Sequence, residues 1–260
     1  MKSGFLLELK NISKSFSGVQ ALKDVSMWIG YNEIVGLVGD NGAGKSTLIK
    51  IISGVYPPDK GEIYWKGNKI DKLTVNKARE LGIETVYQER ALLPQQTVWR
   101  NIFVGRELTG KFSTLKIREM KKIADSILKE FLGLRGIGIS SDSIVANLSG
   151  GEKQGIAIAR ALYFKADLII LDEPTVGLSI AETQKVLKFV RNIKEQGKSC
   201  IFVTHNIDHV FPVADRFIIL DRGRKVLDFP KEDLTRDDLM NIMLKVARGE
   251  KVEKIKTSYQ

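Results

Sequence analysis

The run Glu33-Ile34-Val35-Gly36-Leu37-Val38 reads as a buried strand, and it passes directly into Gly39-Asp40-Asn41-Gly42-Ala43-Gly44-Lys45-Ser46-Thr47. This segment fits G-x-x-x-x-G-K-[ST], and the residues from Lys45 to Ser53 have helical spacing, with Gly54 as the stop. Strand, glycine-rich loop and helix in that order predict a phosphate cradle. Gly39, Gly42 and Gly44 let the backbone curl so that successive N–H groups of the loop, those of Asn41 and Ala43 among them, converge on an anion. The helix start adds roughly half a unit of positive charge. Lys45 is predicted to reach the β- and γ-phosphates, the Ser46 hydroxyl to ligate Mg²⁺ as a hard oxygen, and Thr47 to lie near the α-phosphate.

Short apolar runs alternate with helix-period segments through most of the 260 residues, which predicts an α/β fold with a largely parallel sheet. Ahead of the loop, Phe5–Lys10, Ala21–Ile29 and Gly61–Lys66 read as strands of an antiparallel β region. In Lys116–Leu132, Ile117, Met120, Ile123, Ile127 and Phe131 recur at steps of three and four, the mark of an amphipathic helix. This places a helical subdomain at about 89–163. Further on, a helix from Gly151 to about Phe164, a strand Leu168–Leu171, a helix Ala181–Gln196, a strand Ser199–Val203 and a helix Lys231–Val246 continue the alternation. No linker divides the chain, so 1–260 is expected to be a single domain with a fraying tail at 249–260.

Composition narrows the chemistry. One cysteine, Cys200, excludes an intrachain disulfide framework, and two histidines, His205 and His209, leave little for an all-protein zinc site. The longest apolar runs fall far short of the roughly 18 residues of a membrane span. Phe5-Leu6-Leu7 is too short for a signal-peptide core, so a cytoplasmic location is expected. The net charge of +10 suits acidic partners without choosing among nucleotides, nucleic acid and a membrane-side surface.

Two further segments bear on phosphate chemistry. Leu168-Ile169-Ile170-Leu171 runs into Asp172-Glu173 at the C-terminal end of a buried strand. Asp172 is predicted to hold Mg²⁺ through water, and Glu173, pointing elsewhere, to orient the attacking water. Leu148-Ser149-Gly150-Gly151-Glu152 opens a helix and offers a second anion site, although alone it would be an ordinary N-cap. With the phosphate loop upstream and His205 downstream, these segments resemble the ATP-binding cassette family over nearly the whole chain.

That resemblance implies a P-loop NTPase core carrying an antiparallel β subdomain and a helical subdomain with the signature Ser149-Gly150-Gly151. It implies ATP and Mg²⁺ as cofactors, adenine stacked on Phe16, Gln88 sensing both Mg²⁺ and a membrane partner, and His205 on the γ-phosphate. It also implies a homodimer on ATP binding, in which Ser149, Gly150 and Gly151 of one copy close on the γ-phosphate held by the other. Ser179 stands where many relatives have aspartate, which bears on coupling between copies. Thr85-Val86-Tyr87-Gln88-Glu89 and Asn101-Ile102-Phe103-Val104-Gly105-Arg106-Glu107 are similar to single-cassette ATP-binding subunits of bacterial monosaccharide importers. Such subunits sit on the cytoplasmic face of the membrane and work with permease subunits and, indirectly, an extracytoplasmic sugar-binding protein, with no nucleic acid partner. Docking is expected near Leu92, Leu93, Trp99 and Phe103. The alternative is a soluble cassette ATPase without a permease, of the iron–sulfur cluster assembly type or associated with nucleic acid. The distance from Lys45 to Ser149 leaves no room for the long coiled coil of chromosome-maintenance cassettes.

Overall fold

The computed structural model describes residues 4–87, 92–132 and 138–250, the side chains of 130–132 excepted. The chain opens with β1 (Leu7–Phe16), β2 (Val19–Ile29), β3 (Ile34–Val38), α1 (Lys45–Ile52), β4 (Lys60–Trp65), β5 (Asn68–Lys69), α2 (Val75–Leu81) and β6 (Ile83–Val86). It continues through α3 (Val98–Phe103), α4 (Ile117–Leu132), α5 (Gly150–Tyr163), β7 (Leu168–Asp172) and α6 (Ile180–Glu195). The last elements are β8 (Ser199–Thr204), α7 (Ile207–Val210), β9 (Arg216–Asp221), β10 (Arg224–Pro230) and α8 (Arg236–Ala247).

Two sheets organise these elements. The larger has the order β10-β9-β3-β8-β7-β6, parallel throughout except for β10, and the smaller is an antiparallel sheet of order β2-β1-β4-β5. All five residues of β3 and all five of β7 are buried, as expected of parallel strands covered on both faces. Successive side chains feed different cores. Ile34 and Val38 of β3 join Ile169, Leu171, Cys200 and Phe202 under Val186 and Val190 of α6 and Leu239 of α8. Val35 and Leu37 join Ile170, Ile201 and Val203 under Leu48 and Ile52 of α1 and the inner face of the antiparallel sheet. Gly36 lies where Phe217 packs; a Cβ there would stand 2.8 Å from the Phe217 ring. Cys200 is a buried apolar filler whose thiol is pushed upward in pKa by burial.

A third core lies among the helices of the middle of the chain. Val98, Trp99, Ile102 and Phe103 of α3 meet Met120, Ala124, Ile127 and Leu128 of α4 and Ile156 and Ala159 of α5. The stripe of α4 is rotated slightly from the predicted one, because Ile117 is exposed while Ala124 and Leu128 are buried. Leu92, Trp99 and Phe103, expected on a docking surface, are buried in this core instead. On the short helix α3, Val98 stacks with Ile102 and Trp99 with Phe103, each pair four residues apart, and both of these adjoining rows are covered, so the large side chains all pack inward. Leu93 and Val104 are the exposed apolar residues beside it.

The helix predicted over Lys231–Val246 starts later. Lys231–Asp233 forms one 3₁₀ turn, Leu234 is extended, and Thr235 caps α8 in a capping box with Asp238. The hairpin β9–β10 escapes the sequence reading, although Phe217-Ile218-Ile219-Leu220 followed by Asp221-Arg222-Gly223 is an apolar run bounded by a turn signal. Arg216, at its base, is buried, bonded to Glu33 and Asp228, and stacked 3.5 Å from the Trp28 ring centroid.

The sheet sets up the site. Val38 pairs with Thr204 and Asp172 with Val203, so β3, β7 and β8 end level with one another. The loops that leave those three ends share the carboxyl edge, where open parallel sheets bind ligands.

Candidate nucleotide site

The loop after β3 is shaped by close approach as much as by freedom of backbone. A Cβ on Gly39 would stand 2.3 Å from the Leu220 carbonyl oxygen, and one on Gly44, at φ 102°, 2.8 Å from the Ala21 carbonyl oxygen. Gly44 is the N-cap of α1, with no side-chain cap and no acid in the helix's first turn. That helix start is therefore positive, with no neighbouring carboxylate of its own to balance it. The Lys45 Nζ is buried and donates to the Gly39 and Asp40 carbonyl oxygens at 2.7 and 2.9 Å, which fixes the curl of the loop from inside.

Asn41, Gly42, Gly44, Lys45, Ser46, Thr47, Asp172 and Glu173 line a single cavity of about 610 Å³. The pKa values of buried Lys45 and Asp172 are each shifted in the direction that disfavours the charged form. Burial lowers the Lys45 pKa against the attraction of Glu173, Asp172 and Asp40. Burial, then the charge of Glu173, raises that of Asp172 against the opposing effect of Lys45. A polyanion carrying a divalent cation relieves both, phosphate compensating the lysine and the cation the carboxylate. The Ser46 hydroxyl and the Asp172 carboxylate are hard oxygen donors on this one cavity, a set that fits Mg²⁺. Among the described residues no group of three or more His, Cys, Asp or Glu is placed to hold a metal ion.

Glu173 is not extended. It sits at φ 48°, in the left-handed region, which costs a non-glycine residue on the order of 1 kcal/mol. Its N–H donates to the Val203 carbonyl oxygen at 2.9 Å, and the kink turns its carboxylate toward the end of β8. There Oε2 accepts from Thr204 Oγ1 at 2.9 Å, while Oε1 accepts from the His205 N–H at 3.1 Å and lies 2.7 Å from His205 Nδ1. Three bonds thus aim a carboxylate at the cavity edge and tie it to a half-exposed histidine. His209, read from the sequence as a surface or packing residue, has its Nδ1 2.8 Å from Thr175 Oγ1 and so ties α7 to the turn after Glu173.

Ser149 caps α5, its hydroxyl accepting from the Glu152 N–H at 3.3 Å and the Glu152 carboxylate accepting from the Ser149 N–H at 2.8 Å. Ser149, Gly150 and Gly151 do not line the cavity of their own chain. Phe16 ends β1, over a third exposed, its ring edge-on to Tyr56 with centroids 5.1 Å apart. It pairs with Val19, which does line the cavity. Gln88 lies outside the described residues. Lys23, Arg222 and Gly223 also line the cavity, and sequence reading missed them. The turn at Gly223 donates its N–H to the Ala43 carbonyl oxygen at 3.0 Å, a contact between residues remote in sequence. Thr204, which orients Glu173, was likewise legible only as the end of an apolar run.

The model of the ABC transporter family matches residues 22–176. A xylose/arabinose import ATP-binding protein of Sulfolobus acidocaldarius is 45% identical over 94% of this chain and 96% of its own length. A ribose import ATP-binding protein of Caldanaerobacter subterraneus is 36% identical over 92% of this chain, which spans 47% of that longer protein. Among solved structures, an ATP-binding cassette of an ABC transporter in its ADP conformation superposes with TM-score 0.79 at 26% identity, covering 95% of this chain and 99% of that one. A dimeric cassette bound to ADP and Pi gives 0.73 at 28% identity, covering 86% and 98%. With its phosphate loop, paired acids and capped signature helix placed as described, the chain belongs to the ABC transporter family and is one of its ATP-hydrolysing cassettes.

Proposed function

We propose that two copies of this chain drive import of a monosaccharide, each copy acting as one nucleotide-binding domain over 1–260 with residues 89–163 as its helical part. The observation that carries the hydrolytic role is Glu173, held by Thr204 and His205 at the edge of the cavity that Lys45, Ser46 and Asp172 line. Lys45 and the N–H groups of the loop bind the phosphates, with Gly39, Asn41, Gly42, Ala43, Gly44 and Thr47 as the cradle. Ser46 and Asp172 hold Mg²⁺, which supplies charge neutralisation on the phosphates, and Gln88 completes that set. Glu173 accepts the proton of the attacking water, and His205 fixes the carboxylate's orientation and contacts the γ-phosphate. Phe16 supplies a partly exposed ring for adenine.

Pairing is supported by the place of the signature. Ser149, Gly150 and Gly151 stand away from their own chain's cavity, so the anion seat at the start of α5 serves a second copy. A dimeric cassette is among the structural neighbours. The substrate class rests on the 45% identical relative named for xylose and arabinose import, which this chain matches over nearly its full length. Among the described residues no helix is long and apolar enough to cross a membrane; in the proposed function the membrane step falls to separate permease subunits. The cassette would then lie on the cytoplasmic face, with an extracytoplasmic sugar-binding protein acting through the permease. Leu93 and Val104 are the exposed apolar side chains next to α3 available for docking.

The test has three arms. Purified chain with MgATP should release phosphate, and the tagged chain recovered from its own membranes should carry permease subunits with it. Cells lacking the chain should lose uptake of labelled xylose, arabinose or ribose. ATPase activity with no permease recovered and uptake intact would point to the soluble alternative.

A further inference from the structure

Glu182, in the first turn of α6, has a carboxylate that does two things. Its Oε2 accepts from the Ser179 N–H and Oγ at 3.0 and 2.9 Å, which completes the cap of its own helix. Its Oε1 reaches a different helix and accepts from the Gly151 N–H at 3.1 Å. Gly151 is buried, and a Cβ on it would stand 3.1 Å from the Glu182 Cβ, so the absence of a side chain there is what lets the acid approach. We propose that Glu182 competes for the anion seat at the start of α5, taking the Gly151 N–H that the γ-phosphate on a second copy requires, and so sets how readily two copies pair over ATP. The proposal rests on the pairing read above.

An N–H aimed at a carboxylate cannot point equally well at a phosphate, and two anions at one helix start repel each other. Bonds from Ser179 and Gly151 hold the Glu182 carboxyl down to about 2, so it carries its charge throughout the working pH range. Drawing Glu182 away also releases Ser179, which lies on the short segment that runs back to Glu173. In that segment the Val176 N–H donates to the Glu173 carbonyl oxygen at 3.3 Å. Arrival of a phosphate at one copy's seat therefore acts on the backbone that carries the same copy's Glu173.

The cap alone does not need a glutamate. In α8, Thr235 and Asp238 build the same capping box with the shorter acid. Glu182→Asp therefore keeps the cap of α6 while withdrawing the carboxylate from Gly151 by about one C–C bond, ~1.5 Å. The measurement is light scattering during MgATP titration of the Glu173→Gln chain, with and without Glu182→Asp. The added substitution should lower the MgATP concentration for half-maximal dimer by about fivefold, the lower end of ordinary coupling between sites. Nucleotide affinity of the dilute single copy should not change. In the otherwise native chain, Glu182→Asp should lower KM for ATP more than it alters kcat. Glu182→Gln, which keeps an acceptor oxygen without charge, should fall between.

A folded Glu182→Asp chain whose dimer midpoint is unchanged or raised overturns the proposal while leaving pairing intact. A Glu173→Gln chain that binds MgATP and stays monomeric removes pairing itself, and the proposal with it.

Discussion

Replacing Glu173 by glutamine removes one negative charge from a side chain whose surroundings are fully specified. The native carboxylate accepts from Thr204 Oγ1, from the His205 N–H and on the side of His205 Nδ1. The amide oxygen of Glu173→Gln can keep the two bonds to His205, and its N–H₂ can donate to Thr204 Oγ1 once that hydroxyl turns its proton away. The network survives in altered polarity, so the expected loss of stability is below about 1 kcal/mol, the net worth of one ordinary hydrogen bond. Turnover is another matter. The amide cannot take the proton of the attacking water, and loss of a positioned general base costs about 10²–10⁴ in rate, or roughly 2.7–5.4 kcal/mol of barrier. Binding should persist, because Lys45, Ser46 and Asp172 are untouched. The assay is phosphate release at saturating MgATP beside a direct nucleotide titration and light scattering. Native-like binding with turnover lowered at least a hundredfold, and an ATP-held dimer, is the expected result. Turnover within tenfold of the native chain, in a folded variant, would refute the role given to Glu173.

Lys45→Ala should abolish nucleotide binding in a direct titration, since the residue both fixes the loop through Gly39 and Asp40 and supplies its cation; unchanged affinity would remove the phosphate-loop assignment. Asp172→Asn should abolish Mg²⁺-dependent turnover yet raise the urea midpoint of the nucleotide-free chain at pH 7. The Asp172 pKa is raised above 3.8 by burial and by Glu173, so its ionised form opposes folding above the raised value and not below 3.8; the gain should therefore vanish as pH falls to about 4, and a lowered midpoint at pH 7 would contradict this. Leu93→Arg should spare the ATPase of the isolated chain and weaken its recovery with permease subunits, because Leu93 is exposed. Trp99→Arg should instead unfold the helical core by forcing an unpaired charge into it, read as loss of the cooperative thermal transition.

Local chemistry wrote much of this protein into its sequence. The phosphate loop, the acids after β7 and the Ser149 cap are each continuous in the chain, and each is built from residues whose backbone or charge admits few alternatives. Apolar runs bounded by turns gave β3, β7 and β8 to within a residue or two, because a strand buried on both faces leaves a run that no loop tolerates. What sequence reading placed wrongly depends on neighbours. The outward face imagined for Trp99 and Phe103 turned inward because α4 and α5 supply a third core against which α3 packs. The delayed start of α8 follows from the Thr235–Asp238 cap, which a propensity argument does not rank ahead of a helix continuous from Lys231. Only the tertiary structure could bring Thr204 to Glu173, Gly223 to the phosphate loop and Glu182 to Gly151. These contacts join segments far apart in the chain, and the distance between such segments is set by the sheet order and by the packing of both faces, not by any residue's own preference.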